Sequence, residues 1–587
     1  MLDFKLFAMK KMTTRYARIF TALACCSMVC LVSCKKNLLD QLPTTELSTA
    51  VYWKTFDDAV FAVNGVYQSN KNVFGTDYQW DGGGEFVHTR RTVLGRGDFN
   101  PGPLGSSYDY YWTFCYQTIN RANDVLEHIA LLKQDLKTST DQEGLNKLQG
   151  ETRFLRALTY FRMIDLWGDV PYLNHKLNGN AEAYTLTRTA RAEIKDSILA
   201  DLDFAAAMLQ ETPYRGEKGR ATRLAAWAFS GKVKLFWACW MKNEGKAAEA
   251  QTYYAAAAAD FKKIIDKGIP LFRGGDPGPA TKPNYGDLFQ YTNENDPEIL
   301  FSVTYAGPGL SQGELMLYEF GNRNTANATV QVAPTNRLVN RYQLLSTGDF
   351  AAPVVLSNSA TIANGAVNPA TYLNRDYRLK ATMLWDGQKM LAISTDGMTL
   401  LDSITWKWGS RDGVNFINYD NTRAGFEFRK WVRQVGGFDR SDGPQDMYLM
   451  RIADVWLMYC EAVNEAVGTP TGELFDLLDK IRRRGNLPAL NRAKWGSKPE
   501  FFKAVEQERI VELVAEGQRF FDIRRWKKAE EIWPAPSGQT LSDPWGARIR
   551  DEFKNSPILD YQRYYIFRIP PSEREVNSKL TQNTPWL

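Results

Sequence analysis

The chain has 587 residues, 44% hydrophobic and 24% charged, the proportions of a globular protein and not of a disordered one. Its formal charge is +5, but residues 1–33 carry Lys5, Lys10, Lys11, Arg15 and Arg18 against Asp3. The remainder is nearly neutral, which excludes bulk basicity directed at nucleic acid, and three dispersed histidines (His88, His128, His175) exclude a His-rich transition-metal site.

The N-terminus reads as an address. Behind the basic stretch lies an apolar run, Ile19 to Val32, too short to span a bilayer and suited to the core of a signal peptide. It ends in Leu31-Val32-Ser33-Cys34, which resembles the bacterial lipobox, whose cysteine is lipidated and becomes the mature N-terminus. Several acyl chains on Cys34 would bury far more methylenes than one myristoyl, giving stable anchoring to a membrane. Lys35 is not the Asp that resembles an inner-membrane retention signal, and an outer-membrane address is expected. Cys25, Cys26 and Cys30 leave with the signal. Cys115, Cys239 and Cys460 remain, too sparse for a disulfide scaffold and expected to be buried.

Residues 34–270 are expected to be helical apart from one stretch. In Thr49–Val66, Trp53, Phe56, Val60 and Val63 share a helix face. Residues 70–109 mix Gly, Asn, Asp and Pro with aromatics and read as a loop, a place where aromatics carried on a rigid scaffold suggest a ligand surface. Helical periodicity then covers Tyr110–Leu132, Glu151–Trp167, Arg191–Leu209, Thr222–Lys242 and Ala247–Lys267. Small residues recur against Tyr254, Phe261 and Ile265, as in stacked tetratricopeptide-like helix pairs. Residues 271–445 lack sustained periodicity and are expected to form an irregular insert with small sheets and short helices. Helices resume at Met447 and continue through Gly472–Arg484 and Pro499–Glu516, within a C-terminal helical region of residues 446–587.

Val505–Lys528 packs acids and arginines among Ile510, Leu513, Val514, Phe520, Phe521, Ile523 and Trp526. Glu516 stands three residues before Arg519, and Asp522 three before Arg525, so each pair is expected on one helix face. Gly517 separates two helical runs. The segment reads as a structural helix pair with a surface run of ion pairs, not as a reaction centre.

Motifs spread along the mature chain resemble the SusD/RagB family, surface lipoproteins of Bacteroidota that capture nutrients for a partner transporter. They include SCKKNLLDQLP behind the signal, INRANDVL at 119–126, ETRFLRALTYFRMIDLWGDVPYL at 151–173 and GRATRLAAWAFSGKVKLF at 219–236. DPEILFSVTY at 296–305, MRIADVWLMYCEAVNEA at 450–466, IRRRGNLPAL at 481–490, ERIVELVAEGQRFFDIRRW at 508–526 and IPPSEREVNSKLTQN at 569–583 complete the series. The resemblance implies a mainly α fold, with tetratricopeptide-like repeats as scaffold and a loop-rich half containing short strands. It also implies a lid on a SusC-like TonB-dependent outer-membrane transporter, with the ligand bound by variable loops.

In glycan-binding members the apolar C–H faces of sugars rest on aromatic rings while Asn, Asp and Arg bond the hydroxyls. Side chains of suitable type and region are Tyr78, Trp80, Asp81, Arg90 and Tyr108 early on, and Tyr291, Tyr318, Asn322 and Arg323 in the middle. Trp406 and Trp408 alternate as on a strand, where packing explains them. No catalytic constellation, nucleotide loop, cofactor motif or zinc motif is found, so a non-enzymatic binder without cofactor is expected. A glycan or oligosaccharide is the expected ligand. Peptide or other non-sugar capture, a glycan-active enzyme and a pure assembly protein are the alternatives.

Overall fold

The computed structural model describes residues 52–89, 106–307, 313–321, 331–354, 365, 367–393, 400–405, 426–434, 436–532 and 561–587. The leader, Cys34, Arg90, Asn322, Arg323, Trp406 and Trp408 lie outside the described residues. Described residues 52–58 belong to one unit, in which the Asp58 carboxylate accepts from the Lys54 and Thr55 backbone N–H groups at 2.9 and 2.7 Å. Ala59–Leu587 forms the second.

Long helices dominate: α1 Phe56–Phe74, α2 Ser106–Asp135, α3 Ser139–Trp167, α4 Arg191–Met208, α5 Arg223–Asn243 and α6 Ala247–Ile265. After the middle region come α7 Ile452–Val467, α8 Gly472–Arg484, α9 Lys498–Leu513 and α10 Arg519–Trp526. Their starts are set by side-chain caps: the hydroxyls of Thr138, Thr222 and Ser497 accept from backbone N–H groups of α3, α5 and α9. The apolar stripe Phe154, Ala157, Leu158, Phe161 and Ile164 of α3 is buried. Neighbours pack in order, α2 on α3, α3 on α4, α4 on α5, α5 on α6, α6 on α7 and α7 on α9. Because α6 meets α7, the middle region is an excursion from one continuous helical stack. The small-against-large pattern is physical: a Cβ at Gly231 of α5 would lie 2.6 Å from the Phe261 ring of α6. The protein is mainly α, with a tetratricopeptide-like scaffold.

The excursion is tied down by two-stranded antiparallel sheets. Val87–Thr89 (β1) pairs with Val332–Pro334, and Ile299–Val303 (β2) pairs with Met447–Arg451 (β3). Met383–Leu384 pairs with Glu427–Phe428, and Lys389–Ile393 with Leu400–Thr405. Met447–Arg451 therefore departs from the expected helix, and α7 begins at Ile452. A five-residue run buried on both faces has no periodicity to mark it as a strand. The described residues of 70–109 also depart from a loop: they hold the last turn of α1, a 3₁₀ turn at Asp77–Gly83, β1 and the start of α2.

The charged segment at 505–528 is buried rather than solvated. Between α9 and α10 the chain breaks, with Ala515 at φ +62° and Gly517 at φ +74°. Asp522 and Arg525 pair at 2.9 Å as expected. Glu516 and Arg519 take other partners, because the break removes them from a common helix. Glu516 reaches Arg451 and Lys430, both at 2.7 Å, while Arg519 reaches Glu85 at 2.6 Å and Glu506 at 2.9 Å. At the centre Glu512, fully buried, meets Arg378 and Arg451 at 3.2 Å and Arg484 at 2.5 Å. Arg451 and Arg484 also share Glu298, just before β2. One carboxylate thus joins α8, α9, β3 and the excursion.

Gly517 makes the break possible, since an added Cβ would lie 2.2 Å from the Asp77 carbonyl oxygen. Gly517→Ala is expected to cost roughly 2–4 kcal/mol, combining left-handed strain with a clash against backbone. Urea unfolding measures it; a loss below about 1 kcal/mol would contradict the packing described.

Candidate functional site

Of the early candidates, Tyr78, Trp80 and Asp81 present no face to solvent. Tyr78 and Trp80 are 1% and 0% exposed in the 3₁₀ turn. Trp80 stacks on Phe520 of α10 at 5.2 Å and meets Tyr111 edge-on at 5.4 Å, while Tyr78 packs on Phe320 at 5.0 Å. The Asp81 carboxylate accepts from the backbone N–H groups of Gly517 at 3.0 Å and Arg519 at 2.9 Å, capping the entry to α10. Burial pushes its carboxyl up to about 7, against the pull of those two hydrogen bonds. All three anchor the turn beneath α10, which corrects the expectation that they face a ligand. Tyr108 lies in α2, its side chain outside the described residues.

Tyr291 and Tyr318 are different: both are half-buried, and the structure brings them to one loop. Tyr291 meets Phe438 at 5.5 Å with rings at 71°, and the Arg440 guanidinium lies 5.3 Å from the Tyr318 ring centre. The loop carrying Phe438 and Arg440 is fastened at Gly443, which exchanges backbone hydrogen bonds of 2.8 and 3.2 Å with Glu314. Arg433 holds the loop from beneath, donating to the Phe438 carbonyl at 2.7 Å and to Glu314 at 3.4 Å. The Asp439 carboxylate accepts from the Ser441 N–H and hydroxyl at 2.8 and 2.7 Å. The result is a face of aromatic edges and charged groups on a fixed backbone, suited to stacking and hydrogen bonding. Phe438 and Arg440 were not among the sequence candidates. The Gly-, Asp- and Pro-rich run GGFDRSDGPQD was the signal that marks them as a loop.

A cavity of about 250 Å³ opens between α1 and β2, lined by Lys71, Lys218, Asn64, Gln68 and Ser302 among others. Lys71 lies 3.9 Å from the Tyr305 ring centre. Lys218 bridges Glu294 at 2.5 Å and Asp446 at 2.8 Å. Burial, then the nearby Asp446 charge, raises the Glu294 carboxyl to about 8. The remaining cysteines, Cys115, Cys239 and Cys460, are free and buried. Among the described residues, no group of three His, Cys, Asp or Glu side chains is placed to hold a metal ion. Among them too, no helix is long and apolar enough to cross a membrane.

A helical stack interrupted by a loop-rich excursion has solved counterparts. A SusD-like protein from Bacteroides fragilis superposes with a TM-score of 0.68 at 21% identity, covering 93% of this chain and 100% of that one. In sequence, SusD-like protein P2 of Formosa agariphila is 23% identical over 588 residues, 95% of this chain and 97% of that protein. The starch-binding protein SusD of Bacteroides thetaiotaomicron is 24% identical over 470 residues, 76% of this chain and 73% of that protein. Residues 297–586 match the family model described as the SusD family, from just before β2 to the C-terminus. Residues 103–235 match a second, described as starch-binding and associating with the outer membrane. The motifs that run from α2 to the C-terminus, the helical stack they build and these matches agree: the chain belongs to the SusD family.

Proposed function

We propose that the protein is a cell-surface lipoprotein, anchored through Cys34, that captures a glycan or oligosaccharide and delivers it to a SusC-like TonB-dependent outer-membrane transporter. Family membership carries this reading, since the segment 103–235 matches a family described as starch-binding and associating with the outer membrane. The lipobox-like Leu31–Cys34 supports the anchor. The ligand rests on Tyr291 and Tyr318, with Arg440 beside the second ring, and Arg90, Tyr108, Asn322 and Arg323 are further candidate contacts. The role is binding, and no cofactor takes part.

Calorimetry against a polysaccharide the protein retains tests the site. Tyr318→Ala and Tyr291→Ala are each expected to weaken binding about tenfold at unchanged fold, the scale of a lost ring contact. Unchanged affinity in both would remove this face from the ligand site. Cys34→Ala is expected to lose palmitate labelling and leave the outer-membrane fraction; persistent labelled anchoring would sink the lipoprotein assignment.

A further inference from the structure

A larger cavity, about 630 Å³, lies on the helical side of the protein, among the C-terminal ends of α5 and α7, the first turns of α9 and the end of α10. It shares no lining residue with the smaller cavity and includes neither Tyr291 nor Tyr318. Trp495, Phe502 and Trp526 line it with half-buried rings. Phe502 and Trp526 meet edge-on at 5.0 Å, with Arg525 4.4 Å from the Trp526 ring centre and Lys528 5.5 Å from that of Phe502.

The charges in the wall are nearly all matched to one another. Glu465 is held by Lys242 at 2.9 Å and Lys498 at 3.0 Å, Glu461 by Arg525, and Glu506 by Arg519 and Lys528. Arg341 is the exception. No carboxylate among the described residues lies within ion-pair distance of its guanidinium, and its buried Nε has no hydrogen-bond acceptor. Its neighbours are the rings of Phe350 at 5.0 Å and Phe86 at 6.0 Å. Beside it Gln507, 4% exposed, donates its amide N–H to the Arg341 carbonyl at 2.7 Å while its Oε1 finds no donor. A guanidinium with no ion-pair partner among the described residues, attracted only at longer range by Glu506 and Glu85, in the wall of an aromatic-lined cavity suits an anion.

We propose that this cavity is a second binding site, which takes a ring-bearing carboxylate of the uronate class. The carboxylate pairs with Arg341, and the apolar face of the sugar ring rests on Phe502 or Trp495. A guanidinium suits a carboxylate through its planar fork of donors. An acidic peptide is the competing anion, and the walls disfavour it. They are built mostly from helices whose backbone groups bond within the helix, leaving no strand edge for an extended main chain to pair with. This inference does not depend on the Tyr291–Tyr318 face.

Calorimetry on the purified protein tests it with sodium glucuronate and a glucuronate-terminated disaccharide, alongside glucose and the matching neutral disaccharide. Both acidic probes are expected to bind, with the neutral sugars about tenfold weaker or undetected. Arg341→Gln is expected to abolish that preference, and Trp495→Ala to weaken the acidic probes about fivefold with an unchanged melting temperature. Trp495 lies in the turn before α9 and carries the test if Arg341→Gln does not fold. No detectable binding of either uronate, equal affinity for acidic and neutral sugars, or wild-type binding in the folded variants would overturn the proposal. Tighter binding of an acidic tetrapeptide than of either uronate would overturn the ligand class.

Discussion

Glu512→Ala is expected to lower the unfolding free energy by about 3–5 kcal/mol, the range found when one partner of a buried ion pair is removed. Three guanidiniums, those of Arg378, Arg451 and Arg484, converge on this carboxylate, and each is at most 2% exposed. Without it they stay out of water, face one another and keep fewer counter-charges. Burial alone would raise the Glu512 carboxyl, but Arg484, Arg451 and Arg378 outweigh it and hold it at about 2 against an ordinary 4.5. A depressed folded value means that the unfolded state binds the proton first as pH falls. The stabilisation is therefore complete above about 4.5 and is lost as pH falls toward 2. Urea unfolding as a function of pH reads both effects: the variant should be weaker at neutral pH, and its stability should fall less steeply through the acid range. A variant within 1 kcal/mol of the wild type at pH 7 would contradict the network as described.

Trp80→Ala is expected to cost a further large amount, about 3–5 kcal/mol, because it empties a fully buried aromatic site. The ring lies 5.2 Å from Phe520, 5.4 Å from Tyr111 and 5.5 Å from Phe521, so its loss opens a cavity beneath α10. That cavity can relax only partly, because the turn is pinned by the two backbone hydrogen bonds to Asp81. At a temperature where the variant stays folded, its polysaccharide affinity is expected to match the wild type within about twofold, since Trp80 has no exposed face. An unchanged melting temperature combined with lost glycan binding would restore Trp80 to the ligand surface.

These residues show what the sequence makes legible and what it hides. Helix α4 is expected at Arg191–Leu209 and found at Arg191–Met208, because a long amphipathic period and its boundaries are local properties. The pairing of Met447–Arg451 with Ile299–Val303 joins segments well over a hundred residues apart, and no periodicity marks a five-residue run buried on both sides. Charges three residues apart suggest a pair only where the helix is continuous. The break at Ala515–Gly517 sends Glu516 to Arg451 and Lys430 instead.

The site was harder to read than the scaffold for a related reason. Tyr78, Trp80 and Asp81 have the residue types of a sugar platform, but α10, more than 400 residues later, covers them. Residue type and loop-like composition cannot distinguish a ring presented to solvent from one closed over by a distant helix. Tyr291 and Tyr318 are half-buried beside Phe438 and Arg440, on a loop fastened at its Gly443 end to Glu314.

Affinity electrophoresis of the purified protein through gels containing a panel of neutral and acidic polysaccharides, with reducing sugar assayed in parallel, tests the glycan-capture account most directly. The expected result is retarded migration in at least one polysaccharide with no release of reducing ends. Migration unaffected by every polysaccharide, together with calorimetric binding of peptides, would contradict it, as would reducing-sugar release by the protein itself.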